Sequence, residues 1–310
     1  MHPAYSVIFF TAASGAGYGL LGLMGMLNAG GYLPSDKWFG LTGFFLALGL
    51  ITFGLLASTF HLGHPERAWR ALTQWRSSWL SREGVLAVLT YMPAGLFAIG
   101  WVFLDQTAGI FMVMGVLSAI GAALTVYCTS MIYASLKSIP AWTNELVSPL
   151  YLVLGLATGG LILDALLHIF DTPIAGVSVL CILALITGAL LKRRYWQEID
   201  AAPRETDLAS ATGLGQIGKV RVLDNPHTSK NYLQQEMGYR VARKHALKLR
   251  RIATVALFIL PIILLGLALA FPAIALAATV LAVVAACVGI VTERWLFFAE
   301  AKHVVMTYYE

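Results

Sequence analysis

Eight long apolar runs, separated by mostly short polar stretches, make up most of this chain. They lie at about 5–28, 38–60, 84–104, 108–136, 146–169, 173–191, 252–271 and 273–297. Roughly 20 apolar residues in a helix cross about 30 Å of hydrocarbon, and each run has about that length. Lipid offers no partner to a backbone N–H or C=O, so a spanning segment must satisfy these groups within itself and is helical. The pattern therefore predicts an all-α integral membrane protein, an eight-transmembrane-helix bundle. The seventh and eighth runs are separated by little more than Pro272. In the first run Gly15, Gly17, Gly19, Gly22 and Gly25 form a stripe of small residues that favours close helix packing over a ligand loop.

Composition agrees with the pattern. The chain has 310 residues, of which 58% are hydrophobic and 12% charged. Soluble domains carry about 25% charged residues, so a soluble globular enzyme is excluded. Met1–Ser6 has no basic segment of the kind that starts a cleaved signal, and the first run is expected to stay as an anchor. The three cysteines, Cys128, Cys181 and Cys287, are far apart inside apolar runs, which offers no spacing for an iron–sulfur cluster or a zinc site.

Charge then orients the bundle. With eight spans, the N-terminus, the 2–3, 4–5 and 6–7 connections and the C-terminus share one side, which holds 19 of the 21 Lys and Arg residues. The positive-inside rule assigns that side, with both termini, to the cytoplasm of a protein in the cell inner membrane. The chain thus divides into spans one to six (1–191), a basic connection (192–251), and spans seven and eight with the C-terminus (252–310). The connection carries 13 basic and 6 acidic residues. Such a face suits anionic lipid or an acidic protein partner, and no nucleic acid is expected. Its GLGQIG, at 213–218, has part of a dinucleotide-binding glycine spacing but no preceding strand, so it carries no nucleotide assignment.

The most informative polar stretch is Phe60–Glu83, FHLGHPERAWRALTQWRSSWLSRE, which separates the second and third spans. Its tryptophans and arginines suit the membrane interface. A quinone site needs an apolar slot, a hydrogen-bond donor at a carbonyl and a proton route, and histidine suits the last two roles. His61 stands where the second span runs out. Glu83 opens the third span at the same depth, with Ser81 as its expected N-cap and Arg67 and Arg82 as its expected counter-charges. Spacing alone reads at least as readily as an interfacial histidine and a helix-end carboxylate making ordinary caps. Trp142 and Asn144, Glu293 and Arg294, and His303 reach the same side, the Glu293–Arg294 dipeptide as an expected ion pair at the membrane edge. On the opposite side Asp164 and His168, spaced i, i+4 with Asp171 beyond them, are expected to form a solvated pair near the surface. A haem b would need two histidines facing each other across helices. His61 and His303 share a side, and quinone remains the preferred cofactor.

The Phe60–Glu83 stretch resembles the membrane anchor subunits of dimethyl-sulfoxide-reductase-type molybdoenzymes. The resemblance is carried by His61-Leu62-Gly63 at the end of the second span, by Arg67, by Ser81-Arg82-Glu83, and by Ile139-Pro140-Ala141-Trp142 before the fifth. It implies a subunit that is not catalytic for the substrate but reacts with quinone (ubiquinone or menaquinone), His61 being the residue tied to quinone. It also implies an iron–sulfur partner and a molybdopterin-containing catalytic partner, which hold those cofactors. The long basic connection and the ERWLFFAEAKHV end look most like anchors of cytoplasmic sulfite-oxidising complexes. The expected function is therefore quinone reduction with electrons from sulfite. Quinol oxidation for a dimethyl sulfoxide-type reductase is the alternative. A secondary transporter would show broken helices and paired charges near mid-membrane, and the sequence shows neither.

Overall fold

The computed structural model describes residues 4–60, 64–201, 207–224 and 241–305, the last segment with side chains from 245 onward. Within these residues eight helices are long and apolar enough to cross a membrane, and the protein is an all-α membrane bundle. The first six spans are α1 (Tyr5–Ala29), α2 (Lys37–Thr59), α3 (Trp79–Phe103), α4 (Ile110–Ala134), α5 (Val147–Ile169) and α6 (Ala175–Ala201). A short α7 (Leu208–Thr212) follows, closed by Gly213 at φ 68°, where a left-handed residue suits glycine. This accounts for the first glycine of GLGQIG without any nucleotide loop.

The seventh span is α8 (Val241–Thr254) running through a wider π-turn at Val255–Ile259 into α9 (Leu260–Ala270). The turn precedes Pro261, whose ring lacks an N–H and would crowd the carbonyl four residues back, and a π-turn accommodates both. One short turn, Pro272–Ile274, separates α9 from α10 (Ala275–Ala299). The tight junction read from Pro272 is therefore present.

Helices α1 and α5 lie at the centre and are the most buried spans. Without a hydrophobic force between helices in lipid, close approach through small residues holds them together. A Cβ on Gly19 would overlap the Gly155 carbonyl oxygen, and one on Gly159 would overlap the Leu20 nitrogen. Gly25 meets the Gly115 carbonyl on α4 in the same way. The glycine stripe is a packing seam, although nothing lies within 4 Å of a Cβ on Gly15 or Gly22.

Two helix boundaries differ from the sequence reading. α3 begins at Trp79 rather than near residue 84, because Ser78 caps it by accepting the Ser81 amide at 3.4 Å. Ser81 is thus inside the helix and is not its cap. α6 continues to Ala201, so Lys192–Ala201 extend a helix. Arg250 on α8 then ties three elements, reaching Asp200 of α6 at 2.6 Å and Glu300 at the end of α10 at 2.9 Å. Burial pushes the Glu300 carboxyl up, against the pull of Arg250.

Candidate functional site

Below the exposed turn Pro65–Gln74 the third and fourth spans bring polar side chains into an otherwise apolar interior. Glu83 is in the second turn of α3, and only 3% of its surface is exposed. It faces α4, where Thr129 donates its hydroxyl to Oε1. Positions Thr125, Thr129 and Tyr133 recur every four residues, so α4 presents them along one face. Thr125 gives its hydrogen to the Gly121 carbonyl at 2.8 Å, and Thr90 of α3 gives its own to Leu86 at 2.7 Å. Ser81, two positions before Glu83 on α3, is also buried, and its Oγ has no hydrogen-bond partner among the described residues.

The arginines expected to balance Glu83 are committed elsewhere. Arg82 lays its guanidinium over the Trp79 ring at 4.2 Å and donates to the Trp75 and Arg76 carbonyls at 2.9 and 2.7 Å. It fastens the preceding turn onto the start of α3. Arg67 is exposed, with Nε 3.7 Å from Glu66. Each sits on the solvent side of a backbone whose Glu83 points inward, which corrects the expected pairing. His61, with Leu62 and Gly63, lies outside the described residues.

Trp142 reaches the same end of the bundle from the α4–α5 connection. Its Nε1 donates to the Phe297 carbonyl at 2.9 Å, and its ring stacks on Phe297 with centroids 5.7 Å apart. Asn144 donates to Glu198 of α6 at 2.8 Å. His303 Nδ1 accepts the Val305 amide at 3.1 Å, and the adjacent Val304 amide donates to the Ser138 carbonyl at 3.0 Å. Trp142 and Val304 therefore join the α4–α5 connection to the end of the chain, and Asn144 joins it to α6.

A second buried polar cluster is only half visible in the sequence. The Glu293–Arg294 pair is present at 3.3 Å, but both residues are buried, and Lys192 of α6 reaches Glu293 at 2.5 Å. The Arg294 guanidinium lies 3.8 Å above the Tyr151 ring of α5. The signal for Lys192 is its place at the end of an apolar run, which the count of basic residues assigns to the connection instead. Asp164 also departs from expectation. It is fully buried rather than solvated, because it faces α6, where Ser178 donates to Oδ1 at 2.8 Å. His168 Nδ1 is 2.8 Å from the backbone oxygen of Asp164 and 4.0 Å from its carboxylate.

For a quinone ring the fit lies with the α3–α4 group. Glu83, held by Thr129 through one carboxylate oxygen, offers its second oxygen at a dry site, and the unpartnered Ser81 hydroxyl on the same helix has hydrogen-bonding capacity left. Among the described residues no cluster of three or more His, Cys, Asp or Glu side chains is placed to hold a metal ion.

Comparison with known proteins places this arrangement in a family context. A family model for the DMSO reductase anchor subunit (DmsC) matches residues 1–299. The sequence is 32% identical, over an alignment of 328 positions, to the C subunit of sulfite dehydrogenase from Allochromatium vinosum, an alignment that spans 100% of this protein and 99% of that one. It is 31% identical over 157 positions to the C component of the anaerobic dimethyl sulfoxide reductase from Haemophilus influenzae, spanning 46% of this protein and 55% of that one.

Proposed function

The chain belongs to the DMSO reductase anchor subunit family, and from that premise we propose that it anchors a molybdoenzyme complex and passes its electrons to quinone. The complex would pair it with an iron–sulfur subunit and a molybdopterin-containing subunit. The full-length similarity to a sulfite dehydrogenase subunit supports sulfite as the electron source. Both termini and the arginine-bearing end of the bundle lie in the cytoplasm on this reading, which the distribution of Lys and Arg supports.

The observation that carries the quinone reading is Glu83, a buried carboxyl held by Thr129 at the arginine-bearing end, where the second span meets the third. Quinone takes up two electrons and two protons on reduction. Glu83 is placed to hold a proton at its free oxygen, and His61, which ends the second apolar run in the sequence, is the group we assign to donate to a ring carbonyl. With both on the cytoplasmic side, protons come from the compartment that supplies the electrons, and the reaction moves little net charge across the membrane.

The experiment is sulfite-dependent reduction of quinone by membranes that contain the complex. His61→Ala and Glu83→Gln are expected to slow quinone reduction several-fold, since a net hydrogen bond contributes about 0.5–1.5 kcal/mol and one to a charged group more. Electron transfer from sulfite to a soluble acceptor should continue, because those centres belong to the partners. Normal quinone turnover in both variants would move the site elsewhere. Oxidation of quinol without any reaction with sulfite would reverse the direction.

A further inference from the structure

We propose that Tyr18 of α1 is a second hydrogen-bonding group for the quinone ring, in addition to Glu83. The inference rests on the quinone reading above. Tyr18 is 3% exposed, and its hydroxyl makes no hydrogen bond among the described residues. The hydrogens of the neighbouring hydroxyls are committed: Thr125 gives its own to Gly121 at 2.8 Å, Tyr91 pairs with Thr52 of α2 at 2.6 Å, and Thr129 donates to Glu83. The Thr125 oxygen beside the phenol is an acceptor that the fold itself offers to Tyr18. Thr11 and Ser14, also on α1, return theirs to backbone carbonyls of their own helix. A buried hydroxyl without a well-formed hydrogen bond costs free energy, and the Tyr18 hydroxyl keeps hydrogen-bonding capacity for a ligand beyond what the Thr125 oxygen offers it.

Its position suits that partner. Glu83 and Tyr91 lie within electrostatic reach of the phenol, so it belongs to the same polar interior. A para-quinone has carbonyl oxygens on opposite sides of one ring and needs polar groups from two directions. Glu83, held by Thr129, is carried by α3, and Tyr18 is carried by α1.

The ring of Tyr18 also lines an apolar groove of about 200 Å³ between α1, α4 and α5. The remaining lining is Gly, Ala, Val, Leu and Met, with Gly22, Ala122 and Gly155 among them, so Tyr18 is its one polar side chain. Leu152, Leu156 and Met26 are exposed at its edge, which opens it toward lipid. Tyr18 thus stands between an apolar, lipid-facing groove and a buried carboxyl. That is the boundary at which a ligand with a polar ring and an isoprenoid tail is held.

The test is Tyr18→Phe in the whole complex, because this change removes the oxygen and nothing else. Three quantities are measured beside Glu83→Gln: the apparent KM for decylubiquinone, the Kd of a fluorescent hydroxyquinoline N-oxide, and the Tm of the complex without added ligand. Turnover is normalised to electron transfer to a soluble acceptor. A ligand-binding hydroxyl predicts KM and Kd raised about two- to ten-fold, the loss of one net hydrogen bond, with Tm unchanged or higher. A lower Tm with unchanged KM and Kd would make the hydroxyl structural and overturn the proposal. If Glu83→Gln raises KM and Tyr18→Phe does not, the role of Tyr18 falls while the quinone reading stands. If both variants bind and turn over quinone normally, both fall.

Discussion

Lys192 and Glu293 meet at 2.5 Å with 1% of each side chain exposed, and Arg294 stands 3.3 Å from the other carboxylate oxygen. One buried anion therefore serves two buried cations. Removing one partner of such a pair costs about 3–5 kcal/mol, mainly through the charge left behind. The two halves are not equivalent here. Glu293→Gln strands two cations, whereas Lys192→Met leaves a neutral Glu293–Arg294 pair. Thermal unfolding in detergent should show the larger loss for Glu293→Gln, and equal losses or the reverse order would contradict this account. Trp142 offers a second residue-scale prediction. Its indole N–H is engaged by Phe297, so Trp142→Phe should leave a buried carbonyl unpaired and cost about 1–3 kcal/mol of stability. The apparent KM for quinone should stay within about two-fold, less than one net hydrogen bond supplies. A larger rise would make Trp142 a quinone contact.

Among the elements, α1 is the one whose small residues decide the packing. A Cβ on Gly19 would run into the Gly155 carbonyl, and Gly22 faces open space. Gly19→Ala must push α1 from α5, and overpacking of this kind costs about 1–3 kcal/mol. Gly22→Ala should have little effect on Tm. Both residues belong to one stripe in the sequence, so a comparison of their Tm values separates the packing seam from its open neighbour. Equal sensitivity would show that helix propensity, and not close approach, governs α1. The long connection works differently. Asp200, Arg250 and Glu300 tie α6, α8 and the end of α10 together, so the ends of three helices form one support on the basic side.

For the whole molecule, the order of the eight spans gathers 19 of the 21 Lys and Arg residues on one side of the bundle. A reporter that is active only in the periplasm, fused at Glu310, should stay silent, and strong activity there would overturn the orientation. The partners are expected to dock on the same side. Deleting Lys219–Lys248 should release an iron–sulfur protein and a molybdopterin protein while the helices remain inserted. Co-purification of both partners with the shortened protein would end the docking role of this segment.

The number of spans and their approximate limits were legible in the sequence, because crossing lipid imposes length and hydropathy on each helix separately. That constraint is local, so it can be read one run at a time. The Pro272 junction and the glycine stripe were legible for the same reason, since a proline that breaks a helix and a small residue on its face act where they stand. What each polar side chain meets was not legible. Arg82 and Glu83 are neighbours in sequence, yet one turns out to Trp79 and the other turns in to Thr129, 46 residues away. Lys192 looked like the first residue of a basic connection until α6 carried it inward to Glu293, 101 residues on. Asp164 looked solvated until α6 closed over it with Ser178. Burial of a charge depends on which helix covers it and on which rotation of its own helix faces that neighbour. Only the packed bundle fixes both.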